Sequence, residues 1–156
     1  MERSLLMRAV VQRAARAAVT INGGETRSVG QSLVVFLGVV KGDGEAQAVF
    51  LADKLSGLRV FSDAQDKMNL SLADVGGEAL VISNFTLGSD CKKGRRPSFD
   101  LAAPPEEAQA LYRRFVEELQ ARSVPVQTGE FGAQMQVSVE NDGPVTLILD
   151  TERIGR

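Results

Sequence analysis

Two short stretches carry the residue types from which a reactive site is most readily built. The first is Ser83-Asn84-Phe85-Thr86-Leu87-Gly88-Ser89-Asp90-Cys91-Lys92-Lys93-Gly94-Arg95-Arg96-Pro97-Ser98-Phe99, where hydroxyl and amide side chains give way to a glycine-punctuated basic run. Hydroxyls and free backbone N–H groups at a strand end can face a substrate, while Lys92, Lys93, Arg95 and Arg96 can hold its phosphates. The same run would also serve as an ordinary solvated charge cluster. Its position at the exit of an apolar segment favours the phosphate reading. The second stretch is Asn141-Asp142-Gly143-Pro144-Val145-Thr146, a glycine-proline pair leading into an apolar run. Glycine adopts backbone angles closed to other residues, and an X-Pro bond is cis at modest cost, yet a plain trans turn is the ordinary expectation for such a pair.

What is missing limits the chemistry as much as what is present. The chain contains no histidine and no tryptophan. Histidine is the usual general base, the commonest metal ligand and the partner in Ser-His and Cys-His nucleophile pairs, so all of these are excluded within one chain. Thr86 therefore has no histidine to activate it. Cys91 beside Lys92 and Lys93 is a tempting nucleophile by position, but a lone cysteine in a basic loop reads more simply as incidental. The acids are dispersed and no histidine or cysteine cluster exists, so neither a metal nor any other cofactor is expected.

The elements that must position these residues follow from periodicity. Arg8 to Arg13, and then Ala17 to Gly24, read as β structure ending in an Asn-Gly turn, which makes the chain start as a hairpin. Ser32 to Val40 is nearly all apolar and β-branched, as expected of a central strand buried on both faces. After Lys41-Gly42-Asp43-Gly44, the segment Glu45 to Leu55 places Ala48, Leu51, Ala52 and Leu55 at helical spacing, with Asp43 as a candidate N-cap. Leu58 to Phe61 and Ala79 to Ser83 are further strands. Pro104-Pro105-Glu106-Glu107 opens a second helix running to about Arg122, with Ala108, Leu111, Phe115 and Leu119 on its apolar stripe. Val124 to Gln127, Met135 to Glu140 and Val145 to Leu149 complete the β segments. The expected fold class is α/β, with mixed, mainly antiparallel sheets and two helices packed outside.

At 156 residues, with 44% hydrophobic and 24% charged content, the chain fits one domain spanning residues 1–156. A net charge of -2 argues against a protein that coats nucleic acid non-specifically, although a local basic patch can still serve one nucleic-acid end. No run approaches the roughly 18 apolar residues of a membrane span, and Met1 to Leu6 is too short and polar for a secretory signal. With a single cysteine, the simplest expectation is a cytoplasmic protein without a membrane partner.

Taken together, Met7-Arg8-Ala9-Val10-Val11-Gln12-Arg13, Ser83-Asn84-Phe85-Thr86-Leu87 continuing into Lys93 to Phe99, and Asn141 to Thr146 resemble the D-aminoacyl-tRNA deacylases. The similarity spans roughly Met7 to Asp150. Connecting segments such as Lys67 to Ser71, Asp74 to Gly77 and Ala103 to Glu107 also match, so the signal is more specific than any one motif. The resemblance implies hydrolysis of the ester between a D-amino acid and the 3'-terminal adenosine of tRNA, in a homodimer with sheets curved toward a barrel. It implies catalytic roles for Ser83, Asn84, Phe85 and Thr86, substrate binding by Gly143, Pro144, Met135 and Arg13, and tRNA binding by Lys92, Lys93, Arg95 and Arg96. In this family the glycine-proline bond is cis and enters the partner subunit's pocket, where its carbonyls capture the substrate amino group and leave no room for an L side chain. Arg13 matches the arginine that holds this motif.

The family commonly has Gln after the motif serine, where this chain has the shorter Asn84. A related deacylase acting on mischarged L-alanine has Pro-Gln-Ala-Thr in place of Ser83 to Thr86, so Ser83 and Phe85 favour the D-specific branch. An aminoacyl ester is already activated, and orientation, an oxyanion site and a directed water suffice to hydrolyse it. Backbone N–H groups near Phe85 and Thr86 are the expected oxyanion donors, with the adenosine 2'-hydroxyl assisting the water. A pocket that admits only hydrogen on the L side also admits glycine, so some glycyl-tRNA hydrolysis is expected. Two alternatives stay open: a non-catalytic RNA-binding module using the same loop, and an editing-like domain for a different ester.

Overall fold

The computed structural model describes residues 7–151, so expectations about Met1 to Leu6 and about the tail beyond Thr151 lie outside the described residues. The organising element is β1 (Arg8–Ile21), a single 14-residue strand where the sequence suggested two segments. Along one edge it pairs antiparallel with the long C-terminal strand, numbered β8 (Met135–Asp150). Its other edge is shared: Ala17 to Thr20 pair with β2 (Thr26–Val29), and Arg8 to Ala14 pair with β3 (Ser32–Gly38). The β1–β2 hairpin closes on Asn22 and Gly23, both at positive φ, as the Asn-Gly signal requires.

The sheet continues from β3 to β6 (Glu78–Ser83) and then to β7 (Val126–Thr128), with both of these pairings parallel. Arg27 on β2 then donates to the carbonyls of Thr128 and Gly129, at 2.8 and 3.2 Å, which ties the β2 side of the sheet to the end of β7. The result is a mixed sheet curved nearly into a barrel, in line with the expected class. A separate two-stranded ribbon joins β4 (Phe61–Ser62) to β5 (Met68–Leu70).

Helices α1 (Glu45–Gly57) and α3 (Pro105–Ala121) lie side by side over one face of the sheet. The main core forms there, with Val11, Leu33 and Val35 from the strands meeting Leu51, Leu55, Phe115 and Leu119 from the helices, all essentially inaccessible to water. A third helix, α2 (Leu72–Val75), adds to the two expected. It is a single turn in which Ser71 Oγ accepts from Asp74 N and the Asp74 carboxylate accepts from Ser71 N, and too short to show helical periodicity.

Asp43 is not the cap of α1. That position belongs to Gly44, whose N–H donates to Gln47 Oε1 at 2.8 Å, while Asp43 folds back to accept from Val40 N. Met135 to Glu140 and Val145 to Leu149, expected as separate strands, are the two halves of β8. Gln12 pairs with Thr146 and Ala14 with Asn141, so the residues between Asn141 and Thr146 bulge out opposite Arg13 without breaking the strand. The opposite face of the sheet holds a smaller cluster of Ala14, Ala17, Val34, Leu80 and Ile82, with Phe36, Met135 and Val137 only partly covered at its margin. A broad cleft opens over that margin.

Candidate active site

The cleft has a volume of about 870 Å³. Its walls come from the end of β6 and the turn that follows it (Ser83, Asn84, Phe85, Thr86), from the start of β8 (Met135, Val137) and from the loop before it (Phe131 to Gln134). Lys41, Phe99 and the Ala102 to Pro105 segment complete the wall. Parallel pairing with β3 carries β6 to Ser83, after which Phe85–Gly88 close into a 3-10 turn. This turn is the centre of the site.

Asn84 governs its geometry. With an extended backbone, Asn84 heads the turn, and its Oδ1 accepts from both the Thr86 N–H, at 3.2 Å, and the Thr86 hydroxyl. A side chain this short reaches the N–H two residues on, the local bond that asparagine favours. Of the backbone N–H groups near Phe85 and Thr86 that were expected to face an oxyanion, that of Thr86 donates to Asn84 Oδ1. The Phe85 N–H has no acceptor among the described residues. The Thr86 hydroxyl donates to Asn84 Oδ1, and among the described residues no histidine or carboxylate lines the cleft.

The turn is seated tightly. A Cβ at Gly38, the last residue of β3, would come within 2.7 Å of Leu87 Cβ and 3.1 Å of Asn84 O, so only glycine lets the turn approach this strand so closely. Phe85 is 57% exposed and meets Phe99 edge-to-face at 5.1 Å between ring centroids, which leaves an apolar aromatic pair in the cleft wall. On the far wall, a side chain at Gly129 would collide with the sulfur of Met135, so that glycine makes the room Met135 occupies.

Of the twelve residues expected to act, Ser83, Asn84, Phe85, Thr86 and Met135 share this cleft. The others do not line it. Lys92, Lys93, Arg95 and Arg96 lie exposed on the loop beyond the turn, closed at its base by the Asp90–Ser98 bridge. Gly143 and Pro144 are exposed at the tip of the β8 bulge, joined by a cis peptide, with Gly143 at φ 132. Arg13 lies beneath them, 9% exposed. It donates to Asp142 O at 3.1 Å and to Val60 O at 2.7 Å, and pairs with the Asp142 carboxylate at 3.6 Å, so it ties the bulge to the segment entering β4. Asn141 Oδ1 accepts from Val145 N, and its amide donates to Thr146 Oγ1, fastening the far side of the bulge.

Some residues that shape the site are not marked by residue type. Gly38, which seats the turn without lining the cleft, stands within an apolar run, although a glycine interrupting such a run marks close backbone approach. Lys41 and the Phe131 to Gln134 loop carried no signal of their own. Among the described residues no group of three His, Cys, Asp or Glu side chains is set to hold a metal ion, and no helix is long and apolar enough to cross a membrane.

The model of the D-Tyr-tRNA(Tyr) deacylase family matches residues 10–150. The chain belongs to that family. Within the D-Tyr-tRNA(Tyr) deacylase family, it is similar to the D-aminoacyl-tRNA deacylase of Syntrophobacter fumaroxidans, 57% identical over 148 residues that cover 95% of this chain and 99% of that one. The corresponding protein of Pelobacter propionicus is 55% identical over 144 residues, covering 92% and 99%. Among solved structures, one titled c-Myc DNA Unwinding Element Binding Protein superposes with a TM-score of 0.86 at 41% identity, over 92% of this chain and 97% of that one. A probable eukaryotic D-amino acid tRNA deacylase superposes with a TM-score of 0.81 at 19% identity, over 94% of this chain and 100% of that one, a likeness of fold.

Proposed function

We propose that this chain, a single cytoplasmic domain, works as a homodimer that hydrolyses the ester of D-aminoacyl-tRNA, releasing free D-amino acid and tRNA. Family membership makes it a hydrolase of this ester. The mechanism rests on one feature of the site: among the described residues the Phe85 N–H has no acceptor, and neither a histidine nor a carboxylate lines the cleft. The aminoacyl ester enters between the Ser83 to Thr86 turn and Met135. As water adds to the ester carbonyl, the Phe85 N–H donates to the developing oxyanion. The 2'-hydroxyl of the terminal adenosine directs the water and shares its proton with the leaving 3'-oxygen, which serves an ester that needs little further activation.

Because the Thr86 hydroxyl is engaged by Asn84, Thr86 supports the turn and forms no covalent intermediate. Lys92, Lys93, Arg95 and Arg96 hold tRNA phosphates beside the cleft. Chirality is read across the dimer. A subunit's own Gly143-Pro144 does not line its cleft, so the bulge of a second copy supplies the carbonyls that capture the α-amino group and exclude an L side chain. Glycine carries no side chain to exclude and passes this filter, which makes glycyl-tRNA a secondary substrate.

Deacylation of D-tyrosyl-, L-tyrosyl- and glycyl-tRNA by the purified protein tests the reading. The expected order is D-tyrosyl first, glycyl second and L-tyrosyl negligible. Equal cleavage of the L-ester would remove the chiral filter, and absence of turnover on all three would leave a binding module. A D-tyrosyl ester on tRNA ending in 2'-deoxyadenosine should react at least about a hundred-fold more slowly, in keeping with loss of an oriented catalytic group.

A further inference from the structure

Arg8 lies outside the cleft, yet it is tied to the turn at the centre of it. Its Nη1 donates to Leu87 O at 3.0 Å, and its Nε faces the Asp150 carboxylate at 3.4 Å. Asp150 is the last residue of β8 and its side chain is only 10% exposed. In the sheet, Arg8 pairs with Gly38 on one side and with Asp150 on the other. The first residue of β1, the last of β3 and the last of β8 therefore meet under the 3-10 turn. Gly38 lets the turn approach, and Arg8 grips its far end. A guanidinium oriented by a shielded carboxylate is a stiff, charge-assisted donor to a backbone carbonyl.

We propose that Arg8 is a positioning residue for ester hydrolysis: held by Asp150, it pins Leu87 and so fixes the direction of the Phe85 N–H two residues earlier. The inference rests on the reading of the Phe85 N–H as the oxyanion donor. In a four-residue turn, Phe85 and Leu87 belong to one hydrogen-bonded unit, since Leu87 N donates to Asn84 O at 3.2 Å and Thr86 N to Asn84 Oδ1. Release of Leu87 O lets that unit tilt, and an oxyanion donor loses its effect over displacements well under an ångström.

The test is a double-mutant cycle on D-tyrosyl-tRNA hydrolysis under single-turnover and steady-state conditions. Phe85→Pro removes the N–H at a position where proline fits the first residue of a helical turn, and Phe85→Ala removes the ring while keeping the N–H. Relative to Phe85→Ala, Phe85→Pro should lower kcat by about a hundred-fold or more. Arg8→Gln should lower kcat roughly ten-fold with KM changed less than about two-fold, Arg8→Lys should recover part of the loss, and Asp150→Asn should reproduce part of it. In the Phe85→Pro background, Arg8→Gln should cost less than about two-fold, because the group it positions is gone.

An equal Arg8→Gln penalty in both backgrounds would overturn the inference, as would an unchanged kcat in the Arg8→Gln protein or a loss confined to KM. If Phe85→Pro is no slower than Phe85→Ala, the oxyanion reading itself fails, an outcome separate from any result at Arg8. Should Arg8→Gln fold poorly, the Arg8→Lys and Asp150→Asn proteins run through the same cycle give the same decision.

Discussion

At the residue scale, the site turns on what Asn84 does with one oxygen. By accepting from both the N–H and the hydroxyl of Thr86, it withdraws two groups that look reactive in the sequence and leaves the Phe85 N–H, which has no acceptor among the described residues. Thr86→Ala should therefore keep kcat within about ten-fold of the parent, where loss of a true nucleophile would cost at least about a thousand-fold. Rapid-quench measurement of D-tyrosyl-tRNA hydrolysis separates these outcomes. The residues of this turn were legible as candidates because hydroxyl, amide and aromatic side chains leave an apolar strand together. Their roles were not, because a two-residue side-chain-to-backbone bond leaves no trace in spacing.

At the element scale, the turn is placed by strand ends, and strand ends were the least legible part of the sequence. The apolar run through β3 identified a central strand, but not that its last glycine would be the seat of the turn that lines the cleft. Gly38→Ala should destabilise the protein by about 1–3 kcal/mol and lower kcat more than it raises KM, since the new methyl meets Leu87 Cβ at 2.7 Å and the backbone oxygen of Asn84 at 3.1 Å. Chemical denaturation paired with steady-state kinetics reads both effects.

Helices α1 and α3 were legible because their buried residues recur at helical spacing over several turns. Helix α2 was not, being one turn long. An Asp before a helix suits capping, but the Asp43 carboxylate satisfies Val40 N and the backbone N–H of Gly44 meets Gln47 instead.

At the scale of the whole molecule, two consequences follow. Burial pushes the Asp43 carboxyl up to about 6, with the nearby Asp150 charge acting in the same direction and backbone hydrogen bonds from Val40 and Met7 opposing it. One of its oxygens is buried with no hydrogen-bond partner among the described residues. A carboxyl whose folded pKa is raised favours the folded state while it is protonated, so this contribution is complete at low pH and is lost as pH rises through about 6. Asp43→Asn should be more stable than the parent by about 1 kcal/mol at pH 7.5 and indistinguishable from it near pH 4, as followed by urea melts across that range.

The second consequence concerns assembly. If each cleft is completed by a partner's bulge, Phe85→Pro and Gly143→Val homodimers should both lose D-selective hydrolysis, since Gly143 sits at φ 132 and a Cβ there would come within 3.0 Å of Val145 N and 3.1 Å of Arg13 Nη2. A heterodimer of the two, isolated through different affinity tags, combines the intact turn of one subunit with the intact bulge of the other. It should recover about half the activity of the parent dimer, in proportion to its one complete site. No recovery would mean that turn and bulge do not act across subunits.

By itself, the sequence determined the secondary structure wherever apolar periodicity runs long, the absence of histidine chemistry, and the motifs that mark the family. These properties reside in residue type and local spacing. Tertiary structure decided which groups of those motifs are free to act. Gly38, Arg8 and Asp150 lie far apart along the chain from the turn they hold, and only the pairing of β1 with β3 and β8 brings them beneath it. The same pairing sets Gly143-Pro144 on a bulge away from its own cleft. That separation is a property of strand register, which no local pattern encodes.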